Sequence, residues 1–85
     1  MMTKNTIATI ITKNIHRHFP HLQIDKIEIN MTLTELEIES LDFIELIFAI
    51  ENELNIELDP ENLNHINTLQ DLVDHIHHTI DRTIA

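Results

Sequence analysis

Ser40 stands between Glu39 and Leu41, where an irregular stretch gives way to the most strongly patterned helix of the chain. A serine hydroxyl at such a junction can accept a hydrogen bond from an unpaired N–H of the first helical turn. It can also be presented to another enzyme and covalently modified. Seven histidines are the other chemistry-bearing candidates. Helical metal ligands need i,i+3 or i,i+4 spacing, which only His75 with His78, or Asp74 with His78, satisfies. His16 and His18 face differently, His21 follows Pro20, and His77 points to another side of the last helix. Two ligands fall short of the usual four, so no metal site is expected and the imidazoles read as surface groups that make the charge pH-dependent. With no cysteine in the chain there is no disulfide, no thiolate zinc site and no thiol nucleophile. Any thiol chemistry must be imported, and no nucleophile, base and oxyanion donors form a catalytic set. The chain is not expected to be an enzyme.

Eighty-five residues are enough for one domain, 1–85, with a single core and no cleft between two lobes. Stability of roughly 4–13 kcal/mol follows from the usual per-residue range, pushed toward the low end by self-repulsion at a formal charge of −10. That charge excludes nucleic acid, whose phosphates need clustered Lys and Arg, and favours basic protein partners. The first residues, Met1 to Ile7, lack a continuous apolar h-region, and no stretch approaches the ~18 apolar residues of a membrane span. A cytoplasmic monomer without membrane insertion is expected. No linker, repeat or low-complexity run interrupts the chain.

Four segments carry helical periodicity. Ile7, Ile11 and Ile15, with Ile10 alongside, give the first an apolar face that Phe19-Pro20 ends. A long connection from about Pro20 to Glu39 offers Leu22, Ile24, Ile27, Ile29 and Leu33 as apolar anchors, and its length predicts that it packs across the bundle. The alternation over residues 24–29 has no second strand to pair with and does not make a sheet. Asp59-Pro60 starts a short third helix that turns Leu63 and Ile66 inward. Thr68-Leu69-Gln70-Asp71 resembles a capping box and opens the last helix, whose apolar face is Leu69, Leu72, Val73, Ile76 and Ile80. Without any glycine, left-handed turns fall to Asn30, Asn55 and Asn67.

The second helix, about Ser40 to Asn55, has two apolar stripes. At about 100° per residue, Phe43, Leu46, Ile47, Ile50 and Leu54 share the core side, and Asp42, Glu45, Ala49, Asn52 and Glu53 the solvated side. Leu41, Ile44 and Phe48 cluster away from both, with Glu45 and Asn52 on one flank and Glu51 on the other. Apolar anchors inside an acidic rim suit docking of a basic protein. The alternative is that the long connection or another helix covers them.

From about Leu33 to Ile76 the chain resembles the acyl carrier protein family, whose signature is a leucine, a glycine, one variable residue, then Asp-Ser-Leu opening an acidic helix. Leu36, Glu37, Ile38, Glu39, Ser40 and Leu41 stand at those positions. The likeness continues through Asp42, Glu45 and Glu51, through residues 56–61, and through residues 66–71. It implies an all-α fold, a small four-helix bundle with a long first loop and a short third helix. It also implies a 4'-phosphopantetheine arm on Ser40, attached by a phosphopantetheinyl transferase and holding acyl or aminoacyl groups as thioesters. A basic docking patch on an acyl or aminoacyl ligase, synthase or transferase would then meet Glu39, Leu41, Asp42, Ile44, Glu45, Phe48 and Glu51. In the family, long acyl chains enter the core, expected here between the second and fourth helices. Carriers of fatty acyl, polyketide, amino acid and lipid-modifying pathways share this framework. Glu37 replaces the family's glycine, which predicts a loop of different shape before Ser40 because a Cβ disfavours positive φ. Glu39 replaces its aspartate and carries the carboxylate one methylene further. An unmodified helical interaction module with the same fold is the competing reading.

Overall fold

The computed structural model describes residues 2–22 and 26–84. Ile24 and the start of the 24–29 alternation lie outside the described residues. Among those described, four helices follow in order: α1 Lys4–His18, α2 Ser40–Leu54, α3 Pro60–Leu63 and α4 Leu69–Ile84. The only ladder-type pairing among them is an isolated bridge between Thr32 and Thr68.

Local capping groups set the starts of α1, α3 and α4. Thr3 caps α1 by accepting the Thr6 N–H at 3.2 Å, and the helix closes where Phe19 N–H reaches Ile15 O at 2.9 Å, just before Pro20. Asp59 caps α3 through the Glu61 N–H at 3.0 Å. The box at α4 forms as its sequence suggests: Asp71 N–H donates to Thr68 Oγ1 and Thr68 N–H to Asp71 Oδ2, each at 3.1 Å. Asp71 Oδ2 also accepts from Asn67 N–H at 3.0 Å. The backbone donors of Asn67 and Thr68 hold its carboxyl below the ordinary aspartate range.

The core lies where α1 packs on α4 and α2. Ile7, Ile11 and Ile15 meet Leu46, Ile47 and Ile50 from α2 and Leu69, Leu72, Val73 and Ile76 from α4, all buried. Asn14 is the buried polar exception, and its Nδ2 donates to Ile10 O at 2.8 Å and to Glu53 Oε1 at 3.1 Å, which ties α1 to α2.

The long connection does cross the bundle. Leu22, Ile27 and Leu33 are half-buried against the core, whereas Ile29 stays exposed. Its deepest anchors are Leu36 and Ile38, at 0% and 6% exposure, which periodicity does not single out. Backbone bonds fix its far end. Leu69 N–H donates to Met31 O at 3.1 Å and Gln70 N–H to Ile29 O at 2.8 Å, so loop carbonyls satisfy two of the free donors of α4's first turn. Leu33 N–H returns a bond to Asn67 O at 2.9 Å. Asn67 does not adopt the left-handed conformation, contrary to expectation. Asn30 does not adopt it either. Positive φ falls on Asn55, at 55°, as expected, and on Glu37, at 59°, which is not among the expected positions.

Candidate functional site

The segment ahead of α2 is a single helical turn capped at both ends. Thr32 N–H donates to Glu35 Oε1 and Glu35 N–H to Thr32 Oγ1, both at 3.0 Å, a capping box whose Thr-x-x-Glu signature stands at Thr32-Leu33-Thr34-Glu35. The turn closes with Ile38 N–H on Leu33 O and Glu37 N–H on Thr34 O, both at 3.0 Å. That is a Schellman closure with Glu37 in the left-handed position that glycine usually takes. The shape expected of a glycine is therefore retained, and the prediction of a differently shaped loop is corrected. Two paired N–H groups and the buried side chains on either side, Leu36 and Ile38, hold Glu37 in a conformation its Cβ disfavours. Glu37→Gly is expected to raise the unfolding midpoint by about 4–8 °C, the equivalent of about 1 kcal/mol for a domain of this size. A thermal melt checks it, and an unchanged or lower midpoint means that this residue carries no strain.

Ser40 then opens α2 as its first helical residue, exposed, with Glu39 as the cap residue. Glu39 N–H lies 3.4 Å from Asp42 Oδ2, and the first intrahelical bond runs from Phe43 N–H to Glu39 O at 2.8 Å. No hydrogen bond engages Ser40 Oγ among the described residues, so the simple capping role of this serine is set aside. Its hydroxyl is available on the surface at a helix start.

Two cavities share Ser40. One, of about 450 Å3, is lined by Phe43, Ile44, Ile47 and Phe48 of α2 and by Leu58, Leu63 and Asn64 opposite. Among the described residues no α4 side chain lines it, so the space beside Ser40 lies between α2 and the α3 region rather than between the second and fourth helices. The other, of about 750 Å3, opens over the connection and is lined by His21, Leu22, Thr34, Glu37, Ile38, Glu39 and Asp42.

The second apolar stripe of α2 is uncovered. Leu41, Ile44 and Phe48 are 77%, 47% and 60% exposed, which rules out burial under the connection or a neighbouring helix. Core-facing Leu46, Ile47 and Ile50 are buried, with Phe43 and Leu54 packed half-buried beside them. Glu39 and Glu45 are exposed and Asp42 is half-buried. Glu51 differs from the rest of the rim: it is half-buried, and its Oε2 accepts the Leu58 N–H at 2.9 Å, holding the α2–α3 connection. The ion pairs among the described residues, Lys4 with Asp74 and Lys26 with Glu28, and the contact of His77 with Asp81 leave the α2 carboxylates without an internal cation.

The α4 histidines are not all surface groups. His75 is half-buried, with its Nε2 buried and unpartnered among the described residues. Burial first, then neighbouring His78, hold its pKa below the ordinary imidazole value, with Asp59 acting in the opposite direction. Among the described residues no three His, Cys, Asp or Glu side chains converge on a metal position.

Comparison with known proteins places this geometry. The phosphopantetheine attachment site family matches residues 5–76. An acyl carrier protein of Buchnera aphidicola is 38% identical over 65 residues, covering 75% of this chain and 82% of that protein. One from Cyanophora paradoxa is 31% identical over 80 residues, covering 91% and 75%. An acyl carrier protein homolog of Mycoplasma genitalium is 42% identical over 53 residues, and there the alignment spans 62% of this chain and 63% of the relative. The crystal structure of an acyl carrier protein from Thermotoga maritima superposes with a TM-score of 0.84 over 94% of this chain and 93% of that one, at 18% identity, which establishes the shared fold. The cofactor of such a domain is covalently attached 4'-phosphopantetheine. An exposed serine whose hydroxyl makes no hydrogen bond among the described residues, with open space on two sides, has room for such an arm. Proteins of this kind carry their substrates and do not transform them. By the family match across most of its length, by its relatives and by its fold, the chain belongs to the acyl carrier protein family.

Proposed function

We propose that Ser40 is the residue that takes the 4'-phosphopantetheine arm and that the chain holds acyl or aminoacyl groups as thioesters for delivery to partner enzymes. The observation that carries this is the exposed, unbonded hydroxyl at the first position of α2, next to an uncovered apolar stripe. The arm supplies the thiol that the polypeptide lacks. The first turn of α2 offers backbone N–H groups and a positive dipole end to the phosphodiester, while Glu37, Glu39 and Asp42 push it outward. The 450 Å3 groove beside Ser40 is apolar on the Phe43, Ile44 and Phe48 side and suits an acyl chain folded back from the arm. Partners with basic patches, a phosphopantetheinyl transferase first, then ligases, synthases or transferases of fatty acyl, polyketide or related lipid pathways in the cytoplasm, dock on Leu41, Ile44 and Phe48. Glu39, Asp42, Glu45 and Glu51 orient them. Docking raises the local concentration of the tethered substrate at the partner's active site.

Intact mass after co-expression with a broad-specificity phosphopantetheinyl transferase, followed by fragmentation to locate the modified residue, tests the assignment. The mass of one phosphopantetheinyl group, placed on Ser40, is the expected result. An unmodified chain with several transferases returns the domain to a plain interaction module. For the docking face, Ile44→Asp is expected to leave the melting midpoint within a few degrees, because Ile44 is half exposed. It should lower kcat/KM for modification by about 30-fold, the loss of about 2 kcal/mol at an interface anchor. An Ile44→Asp protein that unfolds places that side chain in the core instead.

A further inference from the structure

The 750 Å3 cavity over the first connection holds a charge arrangement that the carrier function does not by itself require. Ser40 lines it, and so do three carboxylates, those of Glu37, Glu39 and Asp42. Among the described residues of its lining, His21 alone has a side chain that can become a cation. Its ring packs edge-on to Phe19, with centroids 6.2 Å apart and planes at 83°, and Phe19 is itself 2% exposed. The imidazole is thus oriented by the core, although His21 is exposed to solvent.

A phosphodiester joined to Ser40 Oγ adds a permanent anion to this surface. Glu37 and Glu39 from the connection and Asp42 from α2 line the same cavity as Ser40 and would oppose that charge. The last turn of α1 carries Arg17 and His18, which do not line the cavity. Lys26 is engaged with Glu28 at 3.6 Å. Proton uptake by an imidazole among like-charged neighbours relieves their repulsion, and phosphate oxygens accept charge-assisted hydrogen bonds from it.

We propose that His21 is the counter-ion of the arm's phosphodiester, a positioning residue that draws the base of the arm toward the connection when protonated and lets it go when neutral. The proposal rests on modification of Ser40. It makes the resting direction of the arm depend on the charge state of that ring. On the acid side the arm's base lies over the loop cavity. On the basic side the surrounding carboxylates repel it, and it is free to swing toward the α2–α3 groove. No bond is made or broken in this switch, only a proton moves on and off the His21 ring.

The test is a 31P titration of the modified protein, with intact mass first showing that the arm is attached. The phosphodiester resonance of the native sequence is expected to move between two limiting positions as the solution goes from acid to base. In His21→Gln the resonance should stay at the basic-limit position at every pH, with the mass gain and the circular dichroism unchanged. In His21→Lys, a permanent cation, it should stay near the acid-limit position. A native resonance that does not move, or one that moves equally in His21→Gln, overturns the role of His21 while leaving the arm on Ser40 intact. A chain that never gains the mass overturns both.

Discussion

Ser40→Ala is expected to abolish the phosphopantetheine mass gain completely while leaving the fold as stable as before. The first half follows from chemistry, since the methyl group has no oxygen to form the phosphodiester. The second half is the more discriminating. Were Ser40 the capping residue of α2, its loss would cost about 1 kcal/mol, and the midpoint would fall by about 4–8 °C in a domain of this size. Glu39 occupies the cap position instead, and Ser40 Oγ makes no hydrogen bond among the described residues. Alanine at a helical position is intrinsically favourable by a few tenths of a kcal/mol. The midpoint of Ser40→Ala should therefore match or slightly exceed that of the unmodified native protein. A clear fall in midpoint would give the hydroxyl a structural task and weaken the case that it is kept for modification. Mass gain persisting in Ser40→Ala would move the attachment to another side chain.

What the sequence makes legible follows the strength of its periodic and capping signals. Ile7, Ile11 and Ile15 at spacing four, and Leu69, Leu72, Val73 and Ile76, mark core faces because a 3.6-residue period repeats them on one side of a helix. Separation of Leu41, Ile44 and Phe48 from the core stripe of α2 is likewise a matter of angle, and their exposure agrees with it. Ser40 at the start of α2 follows from the change of pattern around it. The first connection is harder because its order comes from backbone bonds that carry no side-chain pattern. Met31 and Ile29 serve α4 through their carbonyls, which any residue possesses. Leu36 and Ile38 are two apart across a Schellman closure, a spacing that helix counting puts on different faces and that strand counting would pair only in an extended segment, which this turn is not. The Thr32-x-x-Glu35 signature was readable, but a box that starts a single turn has no following apolar run to confirm it. Glu37 misleads for a related reason: residue preference argues against positive φ, and tertiary anchoring on both sides overrides it. His75 shows the same limit, since its spacing on α4 does not reveal that its Nε2 is buried.

That anchoring makes Leu36→Ala the substitution with the largest expected effect on stability. Leu36 is fully buried, and its N–H donates to Thr32 O at 3.1 Å inside the capped turn. Truncation at such a site costs about 2–5 kcal/mol, depending on how far the surroundings collapse. Against a total of roughly 4–13 kcal/mol, this should lower the midpoint by more than about 10 °C. The consequence reaches Ser40 because the turn is what delivers the chain to the start of α2. With Leu36 gone, Glu37 loses one of the two buried flanks that hold its left-handed conformation. The amides of Glu37 and Ile38, paired to Thr34 O and Leu33 O, should then exchange faster than those of α4. Leu46→Ala supplies the comparison, since Leu46 is equally buried but sits within α2. At temperatures chosen so that both variants are equally folded, Leu36→Ala should be modified at Ser40 more slowly than Leu46→Ala. Equal rates would mean that the transferase reads α2 alone and that the turn contributes only stability. A Leu36→Ala midpoint close to the native one would remove the anchoring role altogether.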